Sequence, residues 1–307
     1  QPALPRVPLL VQPARFAGES IGAKLKRIRA AMHEASVDAH VLSALDAIMW
    51  TTNLRGRDVD FNPVAVSYLI VENDTATLFV DPVKVTPEVE RHLGARVRVR
   101  PYREAGAALK ELGRAGRRVW IDGGQSSRWI ADRLRGADLH VAPSCVSTMK
   151  ARKNDTEIEG MRAAHRRDGV AMVRFLRWLE SAVPGGDVTE RTAAATLEAI
   201  RAEGEHFEGL SFRTISGYAE HGAIIHYSVD ESTDVPLEPK GIYLVDSGAQ
   251  YRDGTTDITR TLLLGGRASA AQKEQATRVL MGHIELATAR FPAGIPGWRL
   301  DTLARMH

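Results

Sequence analysis

Between residues 21 and 150 the hydrophobic pattern switches repeatedly between a helical and a strand-like period, and this alternation restricts the fold more than any other feature of the chain. Ile21–Ala35 places apolar residues at helical spacing, AHVLSA (39–44) reads as a strand, and LDAIMWTTNL (45–54) reads as a second helix. VSYLIVEN and ATLFVD are strand-like runs flanking a turn at Asp74-Thr75. Helical EVERHLG, GAALKELGR and SRWIADRLR then interleave with the strands RVRVRPY, RVWIDG and DLHVAPS. Alternation at this spacing calls for an α/β layer built on a mixed sheet.

The pattern changes near residue 150. Thr156 and Glu159 have the spacing of a capping box, and Ile158, Met161, Met172, Phe175 and Leu179 carry a helical stripe toward a stop at Pro184-Gly185-Gly186. A second helix runs from Thr189 to Ala202. Four strand-like runs follow (LSFRTISGY, AIIHYS, YLVDSGAQY and TTDITRTLLLG), and helices over 269–290 and 298–306 close the chain. This half is α+β. The expected organisation is a linker over 1–20, an α/β domain over 21–148 and an α+β domain over 149–307, and 307 residues suffice for two cores.

Hydrophobic content of 44% with 26% charged residues excludes a disordered or fibrous chain. The lone Cys145 excludes an internal disulfide framework, suits a reducing cytosol, and has no surroundings that mark a nucleophile. No apolar run approaches the roughly 20 residues of a membrane span, and the proline-rich start does not read as a signal peptide. The net charge of +3 is unevenly spread, with 22 basic and 16 acidic residues in 1–150 against 19 and 22 in 151–307. RVRVRPYR (96–103) and RAGRR (114–118) alternate with apolar residues or fall in turns, so they read as solvated faces and not as a nucleic-acid surface. Neither HExxH nor a glycine-rich phosphate loop occurs. Oxygen-ligand chemistry belongs in the acidic half.

There the segment DSGAQYRDGTTDITRT (246–261) carries Asp246, at the end of the apolar strand Ile242-Tyr243-Leu244-Val245, and Asp257 beyond a turn. Strand side chains alternate, so the odd sum of these two positions puts both carboxylates on one face of a hairpin. A turn centred between Tyr251 and Arg252 opposes them directly, with Cβ atoms roughly 5 Å apart. A two-residue turn at Asp253-Gly254 opposes Asp246 to Thr261 instead and separates the aspartates by roughly 13 Å. A shared site therefore requires a longer loop or a bulge, for which Gly248 is the candidate. Two carboxylates that close repel unless one is protonated or a cation sits between them, and an oxygen-only pair suits Mn2+ or Mg2+. Taken alone, two aspartates at this spacing are more often turn-flanking surface acids than ligands.

The surrounding residues add a family resemblance that covers nearly the whole chain. SGAQYRDGTTDITRT is similar to the metal-binding hairpin of the pita-bread metallopeptidases, in the aminopeptidase P (Xaa-Pro aminopeptidase) branch. The resemblance implies that Asp246 and Asp257 are metal ligands, with Asp257 bridging. GAIIHYS (222–228) is similar to the family's substrate-histidine strand, which assigns His226 to steadying the scissile carbonyl or the tetrahedral intermediate. Read from its neighbours alone, a histidine after Ala-Ile-Ile is more often a packed strand end. MKARKNDTEIEGMRAAHRRDGVAMVRFLRWLE (149–180) resembles the lead-in helix of the catalytic domain, and His165 and Asp168 on it read as a mutually satisfied buried pair. LDAIMWTTNLRGRDVDFNPV (45–64) resembles the family's middle domain, where Arg55 and Asp58 read as structural loop residues, with a cleft-facing role as the alternative. His221 matches no motif and reads as loop.

The resemblance implies a creatinase N-terminal-like α/β domain followed by a partial pita-bread catalytic domain. The activity it implies is release of the N-terminal residue from peptides with proline in the second position, by a bridging hydroxide of a dinuclear metal site. Two Mn2+ per complete site are implied, with Zn2+ or Co2+ as alternatives. It further implies a cytoplasmic protein whose partners are peptides with an Xaa-Pro N-terminus, without nucleic acid or membrane, and with a homodimer left open. A prolidase acting on Xaa-Pro dipeptides and a non-catalytic pita-bread binding module are the alternative readings. Family motifs of the type HGTGHGVG and EPGYY, and a strand ending in Glu, do not occur, His307 lacks the glycine-flanked surroundings of the ligand histidine, and residue 1 is not methionine. The expectation is the interior of a longer protein, with two ligands only, weak metal binding and negligible activity by itself.

Overall fold

In a computed structural model of the protein, residues 3–307 are described. The first part of the chain runs β1 (Leu10–Val11), α1 (Ala14–Ala17), α2 (Ile21–Glu34), β2 (Ala39–Leu42), α3 (Leu45–Thr52), β3 (Leu54–Arg55), β4 (Tyr68–Glu72) and β5 (Ala76–Val80). It continues with α4 (Pro87–Leu93), β6 (Arg98–Pro101), α5 (Ala105–Arg114), β7 (Arg118–Ile121), α6 (Arg128–Arg133), β8 (Asp138–Val141) and α7 (Cys145–Ala151). β1 and α1 fall in the segment expected as a linker, and β1 pairs with β3. Six strands form one mixed sheet in the order β6-β5-β4-β2-β7-β8, as the alternation demands. β2 is central, antiparallel to β4 and parallel to β7.

Both faces of this sheet are covered. Leu69, Val71, Leu78 and Val80 enter one core with Leu25, Ile28 and Met32 of α2, while Val41, Ile70 and Phe79 enter a second with Leu109 and Leu112 of α5. Successive strand residues thus feed opposite cores, which is why these strands read as almost continuous apolar runs. Ser20 starts α2, its hydroxyl accepting from the Ala23 amide at 3.2 Å. The β4–β5 turn is at Asn73-Asp74, one residue earlier than expected, with the Glu72 amide donating to Thr75 O at 2.8 Å. His40 on β2 is buried between Trp120 O, 3.1 Å from Nδ1, and Ser144 Oγ, 2.8 Å from Nε2. Burial pushes its pKa down to about 4, so the neutral ring donates from Nδ1 to the carbonyl and accepts at Nε2 from the hydroxyl.

The second part runs α8 (Asp155–Ala182), α9 (Glu190–Ala202), β9 (Phe207–Leu210), β10 (Ile215–Tyr218), β11 (Ile242–Ser247), β12 (Ala249–Tyr251), β13 (Gly254–Thr255), β14 (Ile258–Leu263), α10 (Ala270–Thr288) and α11 (Gly297–Ala304). The strands form two three-stranded sheets, β13-β12-β9 and β10-β11-β14. The capping box of α8 is Asn154 with Glu157, not Thr156 with Glu159. Asn154 Oδ1 accepts from the Glu157 amide at 2.9 Å and Glu157 Oε2 from the Asn154 amide at 3.0 Å, while Glu159 pairs with Arg166. The expected strand AIIHYS is absent. Ala219–Ala223 is a 3-10 turn, and the run that follows is bent back on itself with Ile224, Ile225 and His226 exposed. None of the helices among the described residues is long and apolar enough to cross a membrane.

The chain divides into two compact units, one of residues 1–176, 195–214 and 246–258, the other of residues 177–194, 215–245 and 259–307. Asp246 and Asp257 belong to the first unit and His226 to the second.

Candidate functional site

Asp246 is the penultimate residue of β11 and half-buried, and Asp257 is exposed just before β14. At the hairpin tip Gln250 pairs with Thr255 and Tyr251 with Gly254, so the turn is Arg252-Asp253 and not Asp253-Gly254. The reason lies at Gly254, where a Cβ would sit 2.9 Å from Ala164 Cβ and 3.1 Å from Met161 Cα. This glycine serves close approach to α8, not turn formation. Carried down the strands, the tip register puts Asp257 two positions from the residue facing Asp246 and on the same face, a diagonal separation of roughly 7–8 Å.

The ladder does not run straight, however. The irregularity expected at Gly248 is a break there, matched by a break at Thr256-Asp257 on the other strand. Around it the Thr256 amide donates to Ala249 O at 2.9 Å, the Ala249 amide to Thr256 Oγ1 at 3.0 Å, and Ser211 Oγ to Thr256 O at 2.8 Å. A side chain at 248 would collide with Thr256 O and Ser211 Oγ, so the crossing admits glycine alone.

The tip is held from several sides within its own unit. Tyr251 donates its hydroxyl to Asp168 Oδ1 at 2.9 Å, and Arg201 grips the same carboxylate through Nε at 2.7 Å and Nη2 at 3.0 Å. Burial, then the Asp168 charge, pushes the Tyr251 phenol well above its usual range. Arg167 pairs with Asp253. Arg55 donates to Tyr251 O at 3.2 Å and Arg252 O at 3.3 Å, Gln12 Nε2 to Arg252 O at 2.7 Å, and Gln250 Nε2 to Phe61 O at 2.9 Å.

Two sequence expectations change here. Asp168 is buried, but its partner is Arg201 and not His165, which is exposed and bonded at 2.8 Å to Met161 O of its own helix. Asp58 is a structural residue, paired with the buried Lys84 and accepting from the Val66 amide at 2.6 Å. Arg55 has the structural role on the hairpin tip already described. Cys145 is half-buried, and burial pushes its thiol up to about 11, so it stays protonated.

A cavity of about 480 Å3 borders the tip, lined among others by Lys24, Trp50, Arg55, Glu157, Arg252 and Asp253, but not by Asp246, Asp257 or His226. Lys24 is buried there, donating to Trp50 O at 2.9 Å and Asn53 Oδ1 at 2.7 Å, and burial lowers its pKa to about 8. Among the described residues no group of three or more His, Cys, Asp and Glu side chains is arranged to hold a metal ion. The hairpin offers carboxylate oxygens of the right chemistry for a hard divalent cation, as part of a ligand set only.

His226 follows the exposed Ile225 and has φ +56°, in the left-handed region. His221, read from the sequence as loop, lies in the 3-10 turn against Glu190, which the sequence reading missed. An acid in the first turn of a helix is ordinary dipole chemistry, so nothing in the local pattern signals that Glu190 is buried.

A two-faced α/β domain, followed by long helices and a glycine-broken hairpin with an aspartate at each base, defines a creatinase-like domain leading into a pita-bread metallopeptidase fold. The chain belongs to the family of the creatinase/prolidase N-terminal domain, matched over residues 1–157, and residues 159–307 match metallopeptidase family M24. It is 41% identical over 310 residues to Xaa-Pro aminopeptidase 1 of Dictyostelium discoideum, covering 100% of this chain and 49% of that protein. An uncharacterised peptidase of Schizosaccharomyces pombe is 41% identical over 308 residues, covering 100% of this chain and 51% of that one. Among solved structures, the X-prolyl aminopeptidase of Caenorhabditis elegans, a cytosolic enzyme with a di-nuclear active site, aligns at a TM-score of 0.93 and 35% identity, covering 99% of this chain and 51% of that one. The prolidase of Pyrococcus horikoshii, at a TM-score of 0.68 and 22% identity over 92% of this chain and 76% of that one, shares the fold. The chain spans about half the length of the curated relatives it matches.

Proposed function

We propose that the full-length protein is a metal-dependent aminopeptidase that releases the N-terminal residue from peptides with proline second. The observation that carries this reading is the hairpin DSGAQYRDGTTDITRT, with Asp246 and Asp257 at its two bases and a glycine-only crossing between them, in a chain this similar to Xaa-Pro aminopeptidases. Asp246 and Asp257 would hold divalent cations, two Mn2+ per complete site, with Zn2+ or Co2+ as alternatives. Bound there, the ions supply Lewis acidity to the scissile carbonyl and acidify water for attack. His226, exposed on its turn, donates to the carbonyl oxygen as it gains charge. Proline in the second position offers no amide N–H and a fixed φ, so a dedicated pocket is needed to accept it.

The proposed organisation has 21–148 as the α/β domain and 149–307 as part of the catalytic domain, while the segment 1–20 expected as a linker carries β1 and α1, and its Leu9 joins the α/β core. A cytoplasmic location is supported by the cytosolic Caenorhabditis elegans relative, and a homodimer is compatible with this reading. The test is hydrolysis by the full-length protein with Mn2+ of Xaa-Pro dipeptides and of longer peptides with proline second. Release of the first residue from the longer peptides is expected, and Asp257→Asn should lower that rate by at least about a hundredfold with little change in Tm. Cleavage of dipeptides alone would make the protein a prolidase. Salt-sensitive nucleic-acid binding without hydrolysis would make it a binding module.

A further inference from the structure

Glu190 opens α9 with a carboxylate that is 0% exposed. Among the described residues, His221 is the one basic side chain within ion-pair range of it. A carboxylate this buried is tolerated only where donors converge on it. Three groups do so. The Tyr218 amide donates to Oε1 at 2.6 Å, His221 Nδ1 lies 3.0 Å from Oε1 and 3.1 Å from Oε2, and the Tyr227 hydroxyl donates to Oε2 at 3.1 Å. The His221 and Tyr227 rings also stack, with centroids 4.5 Å apart. The frame beneath is fixed as well: the Glu190 amide donates to Val235 O at 3.1 Å, and Ser216 Oγ donates to Glu190 O at 2.8 Å.

These donors come from both ends of one segment. Tyr218 and His221 precede the exposed run Ile224-Ile225-His226, and Tyr227 follows it directly. One carboxylate therefore ties both ends of a short loop, and His226 stands directly beside the Tyr227 anchor. A residue with a Cβ keeps a φ of +56°, as His226 does, only when its neighbours over-determine the backbone. The adjoining Tyr227 is buried and bonded, and supplies that constraint.

We propose that Glu190, through His221 and Tyr227, positions His226 for the reaction, a role that rests on the substrate-contacting reading of His226. A group that must meet a reacting carbonyl has to be held within about 0.5 Å, so loosening its loop lowers turnover more than substrate binding. The three tying residues act through the backbone on either side of the loop.

His221→Phe keeps the stack on Tyr227 and removes the donor to Glu190, whereas His221→Asn keeps a donor near Nδ1. In the full-length protein His221→Phe is expected to lower kcat on an Xaa-Pro peptide about 10- to 100-fold with KM within about threefold. His221→Asn is expected to recover kcat to within about fivefold of the parent. Amide exchange over 222–227 should quicken at least about tenfold in His221→Phe, with β2 and β5 unchanged. Parent-like kcat and loop exchange in His221→Phe would overturn the proposal, as would exchange that quickens throughout the protein. Should His221→Phe fail to fold, Tyr227→Phe removes a single hydroxyl and is read the same way. If the parent protein cleaves no Xaa-Pro peptide, the proposed function fails, yet loop exchange still decides the tie: faster exchange supports it and unchanged exchange overturns it.

Discussion

The six-stranded sheet and the helices α10 and α11 spend similar kinds of residue in opposite ways. In the sheet, Phe79 is 1% exposed and its strand neighbours fill a core on either face. On α10, Leu280 is 57% exposed, Val279 and Ile284 are exposed beside it, and the buried residue of that helix is Gly282, pressed against the backbone at Ala304. Apolar content therefore does not report burial. Within the 307 residues, both faces of the sheet are covered by helices, whereas α10 is covered only where Gly282 meets α11, and the stability of this chain should follow that cover rather than the residue type.

The widest separation is expected from paired truncations. In the 307-residue chain, Phe79→Ala should destabilise the fold by about 3–5 kcal/mol, whereas Leu280→Ala should stay within about 0.5 kcal/mol. Urea unfolding of the two variants measures this, and equal losses would break the contrast. A smaller effect is expected from acid. His40 has a folded pKa near 4 against 6.5 in the unfolded chain, so as pH falls from 6.5 the unfolded state takes up a proton that the folded state refuses. The stability it supports above pH 6.5 should be lost on acidification toward 4, up to about 3 kcal/mol. Unfolding at pH 7, 5.5 and 4.5 checks the sign, and His40→Asn should flatten this part of the slope. A parent and variant with the same slope would place the acid sensitivity outside the sheet. The smallest effect belongs to the surface. Arg174 and Glu203 are 2.6 Å apart and both largely exposed, and Glu203→Ala should change stability by no more than about 1 kcal/mol, measured in the same unfolding experiment.

The same contrast explains which parts of the fold the sequence makes legible. The helices and strands of 21–150 were legible because both faces of the sheet are buried, so hydrophobic period and structure coincide. Where the readings failed, a single tertiary contact overrode a local rule. Gly254 looks like a turn residue because it follows Asp253, but it is a strand residue that leaves room for Met161 and Ala164. Thr156 and Glu159 fit a capping box, yet Asn154 forms the real one two residues earlier. His165 was paired with Asp168 by helical spacing, whereas the partner is Arg201, far along the sequence on α9. AIIHYS has strand propensity, but the converging bonds on Glu190 bend it away from a ladder. Of the candidate site, the aspartate hairpin and its irregular glycine were visible in the sequence. The carboxylate beneath the histidine loop was not, because Glu190 is indistinguishable from an ordinary helix-start acid until its burial is known.

Ile225, 87% exposed at the crest of that loop, is the kind of residue a digestive protease would be expected to find first. Exposure, however, is not the same as access. A protease must draw the chain out into an extended form, and here the chain is tied at Tyr218, His221 and Tyr227 to one internal carboxylate. The loop can therefore show bare isoleucine to water and still survive a limited digest intact.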